Sequence, residues 1–342
     1  MSIPEPLDTA AAREALEYFH AAGFDEIDTA ILYQDGATET TLGEIGVEKF
    51  RVAAKANPWY KTDESHDFFT PTYGLRPDLV KEQLRKSIEV LGVPSVELFY
   101  LHAPDHNTPI EGTLQAVHEL RSEGLFREWG LSNYTAWETV DIWHICKRVP
   151  PNGWQTPVVY QGMYNAVTRE VERELLPALK KLGIRFYAYN PLAGGLLSGK
   201  HKFEKPPEDG RFSTTSLWGS LYRARYWRKE MFDEIEKLKA ICVKHDTDLV
   251  SASFRWMRHH SSLTGKAFSL RQTTPFCRLI KRVKDRYPWQ KGGHAVLSVA
   301  QVLCRRWMYD TQRYTIENSV CIETHPVAVI CTCRSRRYNF KQ

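Results

Sequence analysis

The sequence contains no apolar run approaching the ~18 residues that a membrane-spanning helix needs, so no membrane segment is expected. Its opening, MSIPEPLDTAAAREALEYF, lacks a basic stretch followed by an apolar core, so a secretory leader is not expected and a cytoplasmic location is. Metal-knuckle spacing is missing too. Cys331 and Cys333 are separated by one residue instead of two, and no second Cys or His pair stands at matching spacing, so no metal site is expected. The seven cysteines are an odd number in a chain without a leader, which favours free thiols over a disulfide framework. No G-x-G-x-x-G follows the first strand-like run, which argues against a doubly wound dinucleotide-binding sheet.

What is present is enough for a full core: 342 residues, 42% of them apolar, room for one large α/β domain or two smaller ones. The net charge of +5 is unevenly placed. From Lys266 onward there are 15 basic and 4 acidic residues; before it, 31 basic residues face 37 acidic ones. Cys277, Cys304, Cys321, Cys331 and Cys333 lie in the same basic stretch, and only Cys146 and Cys242 precede it. The composition therefore divides the chain into a body, residues 1–262, and a divergent basic tail, residues 263–342. Within the tail, Phe276, Tyr287 and Trp289 are interleaved with Lys and Arg, a pattern that suits phosphate contacts and base stacking. No recognisable nucleic-acid fold surrounds them, so nucleic acid is not an expected partner. The β-branched run PVAVICTC, 326–333, has the character of an added strand.

Along the body, strand-like runs alternate with helical patterns. FDEIDTA, FRVAAKA, SVELFYLHAP, REWGLSN, TPVVYQG and IRFYAYNPL read as strands. Between them, Val80, Leu84, Ile88 and Leu91 keep one helical face apolar, and Leu114, Val117 and Leu120 do the same ahead of a stop at Gly124. The polar residues that close the strands are Asp28, Lys55, His102, Asn133, Gln161 and Asn190, at steps of 27, 47, 31, 28 and 29 residues. One βα unit takes roughly 30 residues. The regularity predicts an α/β fold of the (β/α)8 TIM-barrel type, in which the C-terminal ends of the strands converge on one mouth. Asp28, and Tyr33 five residues after it, thus fall where such barrels do their chemistry.

Asp28 and Tyr33 in DTAILYQDG, Lys55 in AAKANP and His102 in LHAPD resemble the Asp, Tyr, Lys and His tetrad of the aldo-keto reductases. GLSNY, VYQGMYN and YAYNPLAGGLLSGK resemble that superfamily's nicotinamide-binding strand ends, and LFYLHAPD with VYQGMYNA and FYAYNPLAGGLLSGK is similar to its aflatoxin aldehyde reductase branch. The likeness runs from about Ala10 to Ser262. It implies NADPH as cofactor, a small carbonyl compound as substrate, and a homodimer. An unperturbed tyrosine, with a pKa near 10, is a poor acid. A neighbouring ammonium, Lys55, would strengthen it, Asp28 would hold that lysine charged, and His102 would position the substrate oxygen. Taken alone, Tyr33 is equally a surface tyrosine beside a structural Asp and Lys, and His102 a satisfied strand-edge histidine. His106, without a strand-end position, reads as solvated loop.

The resemblance further assigns Ser132, Asn133 and Gln161 to the nicotinamide carboxamide and Tyr189 to its ring. The run Asn190, Pro191, Leu192, Ala193, Gly194, Gly195, Leu196, Leu197, Ser198, Gly199 and Lys200 would meet the diphosphate, its glycines allowing close backbone approach. Arg211 corresponds to a further cofactor contact, and Tyr222 and Arg225 to substrate-side residues, although YRARYWRKEMF also reads as one amphipathic helix with a solvated basic face. Two family features are missing: a GTMEMG-like first strand and a GASS-like segment that grips the adenosine phosphate after the helix ending SFRWMRHHSSL. The expectation is a barrel incomplete at the seam between its first and last strands, with impaired reductase activity. The alternative function is a non-catalytic cofactor-binding or scaffold barrel.

Overall fold

The computed structural model describes residues 9–60, 73–150, 153–259 and 261. A first helix, α1 (Thr9–Ala21), leads into β1 (Glu26–Asp28), a 3-10 turn (Tyr33–Gly36), α2 (Ala37–Ile45) and β2 (Arg51–Ala56). There follow α3 (Pro77–Leu91), β3 (Val96–Leu101), α4 (Ile110–Ser122), β4 (Phe126–Ser132), α5 (Ala136–Arg148), β5 (Val159–Met163), α6 (Leu175–Leu182) and β6 (Arg185–Tyr189). Three helices, α7 (Leu217–Tyr226), α8 (Lys229–Lys244) and α9 (Leu249–His259), complete the described residues.

All six expected strands form, and they pair in chain order, each parallel to the next. This is the curled, parallel βα array of a TIM barrel, and among the described residues no strand joins β1 to β6. The tail and the PVAVICTC run lie outside the described residues.

The two sheet faces are packed by different partners, and the alternation of side chains along each strand decides which residue goes where. Val52, Ala54, Phe99, Leu101, Leu131 and Phe186 face the helices and share one core with Leu16, Val80, Leu84, Leu114 and Leu120. Ala53, Leu98, Tyr100, Val159 and Tyr187 form a separate cluster on the inner face. Lys55, Gln161 and Tyr189 have the same parity as those inner residues within their strands, and Ser132 follows the helix-facing Leu131, so the rule that hides the core aims these polar groups into the barrel. At the opposite ends of the strands, Arg51 lies 3.8 Å from Glu26 and 3.9 Å from Glu97, Arg127 lies 3.0 Å from Glu97, and Arg185 pairs with Glu128. Charge alternates from β1 to β3, whereas β5 lies between the strands of Glu128 and Arg185; apart from the buried Glu26 the groups are partly solvated, so the pairs among them contribute at most about 1 kcal/mol each.

Several loops are tied by buried side chains. Gln83 accepts from the backbone N–H of Asn57 at 2.8 Å and donates to the Gly74 carbonyl at 2.8 Å. Asp105, from the LHAPD run, accepts from the Leu75 N–H at 3.1 Å and from the Thr108 hydroxyl at 2.9 Å, which gives it a structural role. His106 is exposed, as expected, with its Nε2 2.8 Å from Glu138. YRARYWRKEMF is two helices, not one: α7 stops at Tyr226, and Trp227 turns inward to donate its indole N–H to the Phe203 carbonyl at 3.0 Å.

Gly130 on β4 shows how tightly the inner face is filled. A Cβ there would lie 2.9 Å from Tyr100 Cε1 and still nearer the Val159 carbonyl. Gly130→Ala should therefore destabilise the fold by about 1–3 kcal/mol through overpacking, measured by urea denaturation. A variant as stable as the parent would show that the inner face has slack.

Candidate active site

Asp28 is the last residue of β1, and β1 pairs with β2 in register, Asp28 beside Ala53. Lys55 stands two residues further along β2, on the same inner face. Its Nζ donates to Asp28 Oδ2 at 2.8 Å and to the Thr29 carbonyl at 2.7 Å, and the lysine is 1% exposed. A charge so fully removed from water requires such partners. Gln161 of β5 donates to the same Asp28 oxygen at 3.4 Å, linking strands far apart in the chain.

Tyr33 opens the 3-10 turn, and its backbone N–H donates to the Ala30 carbonyl at 2.9 Å. Lys55 Nζ lies 4.7 Å from the centre of the Tyr33 ring. His102 follows β3 directly, fixed by its N–H to the Ala56 carbonyl at 2.8 Å, and its ring meets that of Tyr33 edge-on at 5.7 Å. The four residues of the proposed tetrad, which lie on three strand ends and one turn, thus form a single group. Tyr100 extends it from below, its ring centre 6.0 Å from Lys55 Nζ.

Next to His102 lie the residues assigned to the nicotinamide. Asn133 is exposed and adopts φ 64°, a left-handed conformation that asparagine tolerates better than most residues. Its Nδ2 donates to the His102 carbonyl at 2.9 Å and to Ser132 Oγ at 3.1 Å, and its Oδ1 accepts from the Tyr189 hydroxyl at 2.7 Å. Burial pushes the Tyr189 hydroxyl well above its ordinary pKa, and the positive charge of Arg225 partly opposes that, so Tyr189 stays a donor. Ser132, Asn133 and Tyr189 thus line one continuous polar ledge.

Asn190 repeats the device at the end of β6, with φ 63°. Its Oδ1 accepts from the Gly194 N–H, and its Nδ2 donates to the Tyr226 hydroxyl at 3.1 Å. Asn165 reaches the same hydroxyl at 3.3 Å, and Thr168 lies 2.9 Å from it, so α7 is anchored beneath the loop by one buried phenol that sequence reasoning missed. The following run folds as a 3-10 turn, Ala193–Ser198, interrupted by Gly194 (φ 71°) and Gly195 (φ 107°). A Cβ on Gly194 would meet Tyr222 Cδ1 at 2.6 Å, whereas one on Gly195 would meet only His201 Nε2, at 3.8 Å. Gly194 and Gly195 are both buried; Tyr222 backs the loop at Gly194, while a side chain at Gly195 would find ordinary contact only. Lys200 is exposed beside it, and Arg211 stands 5.9 Å over the Tyr222 ring. His201, also missed, packs edge-on against Phe212 and Trp227; burial lowers its pKa to about 4, so it is neutral at pH 7 and leaves the positive charge to Lys200 and Arg211. Tyr222 lies against the loop backbone, and Arg225 is exposed on α7.

Among the described residues no group of His, Cys, Asp and Glu could hold a metal, and no helix is long and apolar enough to cross a membrane. Cys146 and Cys242 are free and buried, and burial pushes the Cys146 thiol up to about 12, which makes it a poor nucleophile.

The fold and this constellation define a barrel oxidoreductase, and comparison with known proteins gives the family. The model of the aldo/keto reductase family matches residues 1–276. Aflatoxin B1 aldehyde reductase member 2 of Rattus norvegicus is 46% identical over 279 residues, covering 78% of this chain and 72% of that protein. Aflatoxin B1 aldehyde reductase member 4 of Homo sapiens is 45% identical, covering 78% and 80%, and human aldo-keto reductase family 7 member A3 is 43% identical over the same shares. An aldo/keto reductase from Klebsiella pneumoniae, solved with NADP and acetate, matches the fold with a TM-score of 0.51 at 19% identity, over 72% of this chain and 71% of its own. The chain belongs to the aldo/keto reductase family and is an oxidoreductase whose general chemistry is carbonyl reduction.

Removing one member of the buried pair should be costly. Lys55→Met leaves Asp28 ionised and uncompensated and is expected to destabilise the fold by about 3–5 kcal/mol, while Lys55→Met with Asp28→Asn should recover most of that. Urea denaturation of the single and double variants checks it; equal losses in both would contradict the pairing.

Proposed function

We propose that the chain uses NADPH to reduce small reactive aldehydes and ketones, including dialdehydes of the aflatoxin type, to alcohols. The observation that carries this reading is the Lys55 ammonium, held 2.8 Å from Asp28 Oδ2 and 4.7 Å from the centre of the Tyr33 ring. The residues present fit the cofactor. The glycine turn Ala193–Ser198, with Lys200 and Arg211 nearby, would take the diphosphate; Ser132, Asn133 and Gln161 would pair with the carboxamide; Tyr189 would support the ring. NADPH, when bound, supplies the hydride that reaches the carbonyl carbon.

The protein's own part is the proton. Lys55 keeps positive charge beside Tyr33, which stabilises the phenolate that remains after the proton leaves and so strengthens Tyr33 as an acid. Asp28 and the Thr29 carbonyl keep the lysine oriented. His102, edge-on to Tyr33, holds the substrate oxygen where the Tyr33 hydroxyl can reach it. Tyr33 then donates its proton to that oxygen as the alcohol forms. Tyr222 and Arg225 belong to the substrate side of the mouth in this reading, and a homodimer in the cytoplasm accompanies it.

Residues after Ser262 contain nothing similar to the GASS-like segment, and we infer a weak hold on the 2′-phosphate and impaired turnover. Charge-assisted hydrogen bonds contribute roughly 1.5–3 kcal/mol each, so two missing bonds weaken binding roughly a hundredfold or more. Protein fluorescence titration with NADPH is expected to give a dissociation constant above about 1 μM; tighter binding would contradict the inference.

Tyr33→Phe should lower kcat for a nitrobenzaldehyde by about 10²–10⁴ while leaving the circular dichroism spectrum unchanged, because it removes one oxygen and almost no volume. Turnover equal to the parent would remove Tyr33 from the mechanism and the proposed function with it.

A further inference from the structure

Outside the tetrad, hydrogen bonds converge on a second phenol, and carbonyl reduction as described above gives it no part. Tyr226 of α7 is 1% exposed. Around its oxygen stand Asn190 Nδ2 at 3.1 Å, Asn165 Nδ2 at 3.3 Å, Thr168 Oγ1 at 2.9 Å and Met163 Sδ at 3.3 Å. These groups come from the end of β5, the loop after it and the end of β6. Both amides have a fixed orientation: Asn165 Oδ1 accepts from the Val167 N–H at 3.0 Å and Asn190 Oδ1 accepts from the Gly194 N–H, so each Nδ2 must face the phenol.

A phenol offers one proton and two lone pairs. The two amides fill the lone pairs, and the proton goes to Thr168 Oγ1 or Met163 Sδ. Burial raises the Tyr226 pKa, against the opposing bonds of Thr168 and Asn165, so the group stays a neutral hydroxyl. Asn190 is thus held on one side by Tyr226 and on the other by the turn Ala193–Ser198. Tyr222, one helical turn before Tyr226, closes on the same turn: a Cβ on Gly194 would lie 2.6 Å from Tyr222 Cδ1. Helix α7 therefore grips the turn twice, through a hydroxyl and through a ring.

We propose that Tyr226 is a positioning residue for the cofactor: its hydroxyl orients the Asn190 amide, and that amide holds the Ala193–Ser198 turn in the shape that receives the diphosphate. The proposal rests on the reading of this turn as the diphosphate site. Without the hydroxyl, Asn190 Nδ2 loses a buried acceptor, the amide turns to find another, and the Gly194 N–H is released. The cofactor must then order the turn itself, and the cost of that ordering is subtracted from its affinity. None of these bonds involves a tetrad residue, so the chemical step is spared once the cofactor is bound.

Tyr226→Phe keeps the ring and removes only the hydroxyl. In the full chain without cofactor, amide hydrogen exchange at Gly194 should speed up about tenfold or more, while exchange in α4, which none of these bonds reaches, stays as in the parent. Protein fluorescence titration should show the NADPH dissociation constant raised about tenfold, while kcat for a nitrobenzaldehyde at saturating NADPH falls by no more than about twofold, so the loss appears in KM for NADPH. A double-mutant cycle separates positioning from general loosening. Asn190→Gly removes the amide and accepts the positive φ, and in that background Tyr226→Phe should weaken NADPH binding no further. Additive losses, or NADPH affinity in Tyr226→Phe equal to the parent's, overturn the proposal. If Tyr226→Phe does not fold, Asn190→Gly carries the test: NADPH affinity equal to the parent's refutes the route through Asn190, and a weakened one supports it. A parent that binds no NADPH ends the proposed function instead, and the exchange at Gly194 still decides whether the hydroxyl holds the turn: faster exchange upholds that, and unchanged exchange refutes it.

Discussion

The structure depends on burying an ammonium group. Lys55 is almost fully removed from water on the inner face of the sheet, and it is stable there because the end of β1 brings Asp28 and the Thr29 carbonyl to within 2.8 and 2.7 Å. That arrangement requires β1 and β2 to be parallel neighbours in a fixed register, since a slip by one residue would turn Lys55 toward the helices. The sheet exists to make the pair possible, and the pair in turn constrains the sheet.

Around it, the molecule separates stability from chemistry along the strand direction. The N-terminal ends of the strands carry ion pairs, from Glu26 and Arg51 to Glu128 and Arg185. The C-terminal ends carry Asp28, Lys55, His102, Ser132, Asn133, Tyr189 and Asn190, linked by hydrogen bonds and ring contacts that cross from strand to strand. The left-handed backbones of Asn133 and Asn190 turn the chain sharply out of β4 and β6, so each side chain can bond to a neighbouring segment.

The strands and the polar residues that close them were legible in the sequence because two simple signals coincide there: apolar runs of strand length and a polar residue at the end of each. Asp28, Lys55, His102, Asn133, Gln161 and Asn190 could be found that way, whereas Tyr189 came from the family resemblance and Tyr33 lies in the turn after β1. The Tyr226 anchor was hidden, since its partners Asn165 and Asn190 are far off in the chain. The break between α7 and α8 carries no Gly or Pro to announce it. It arises because Trp227 packs against Phe212 and Phe232 in place of continuing the helix, a tertiary contact overriding local propensity.

The central claim is that these strand ends form a working site for carbonyl reduction, in which the hydrogen on carbon comes from NADPH and the hydrogen on oxygen comes through Tyr33. The most direct measurement is a single turnover of the full chain with excess NADPH carrying deuterium at the transferable position and a nitrobenzaldehyde as acceptor. The account predicts that deuterium appears on the carbinol carbon of the alcohol and that Tyr33→Phe suppresses its appearance. Bound NADPH that passes no deuterium to any aldehyde offered would contradict it.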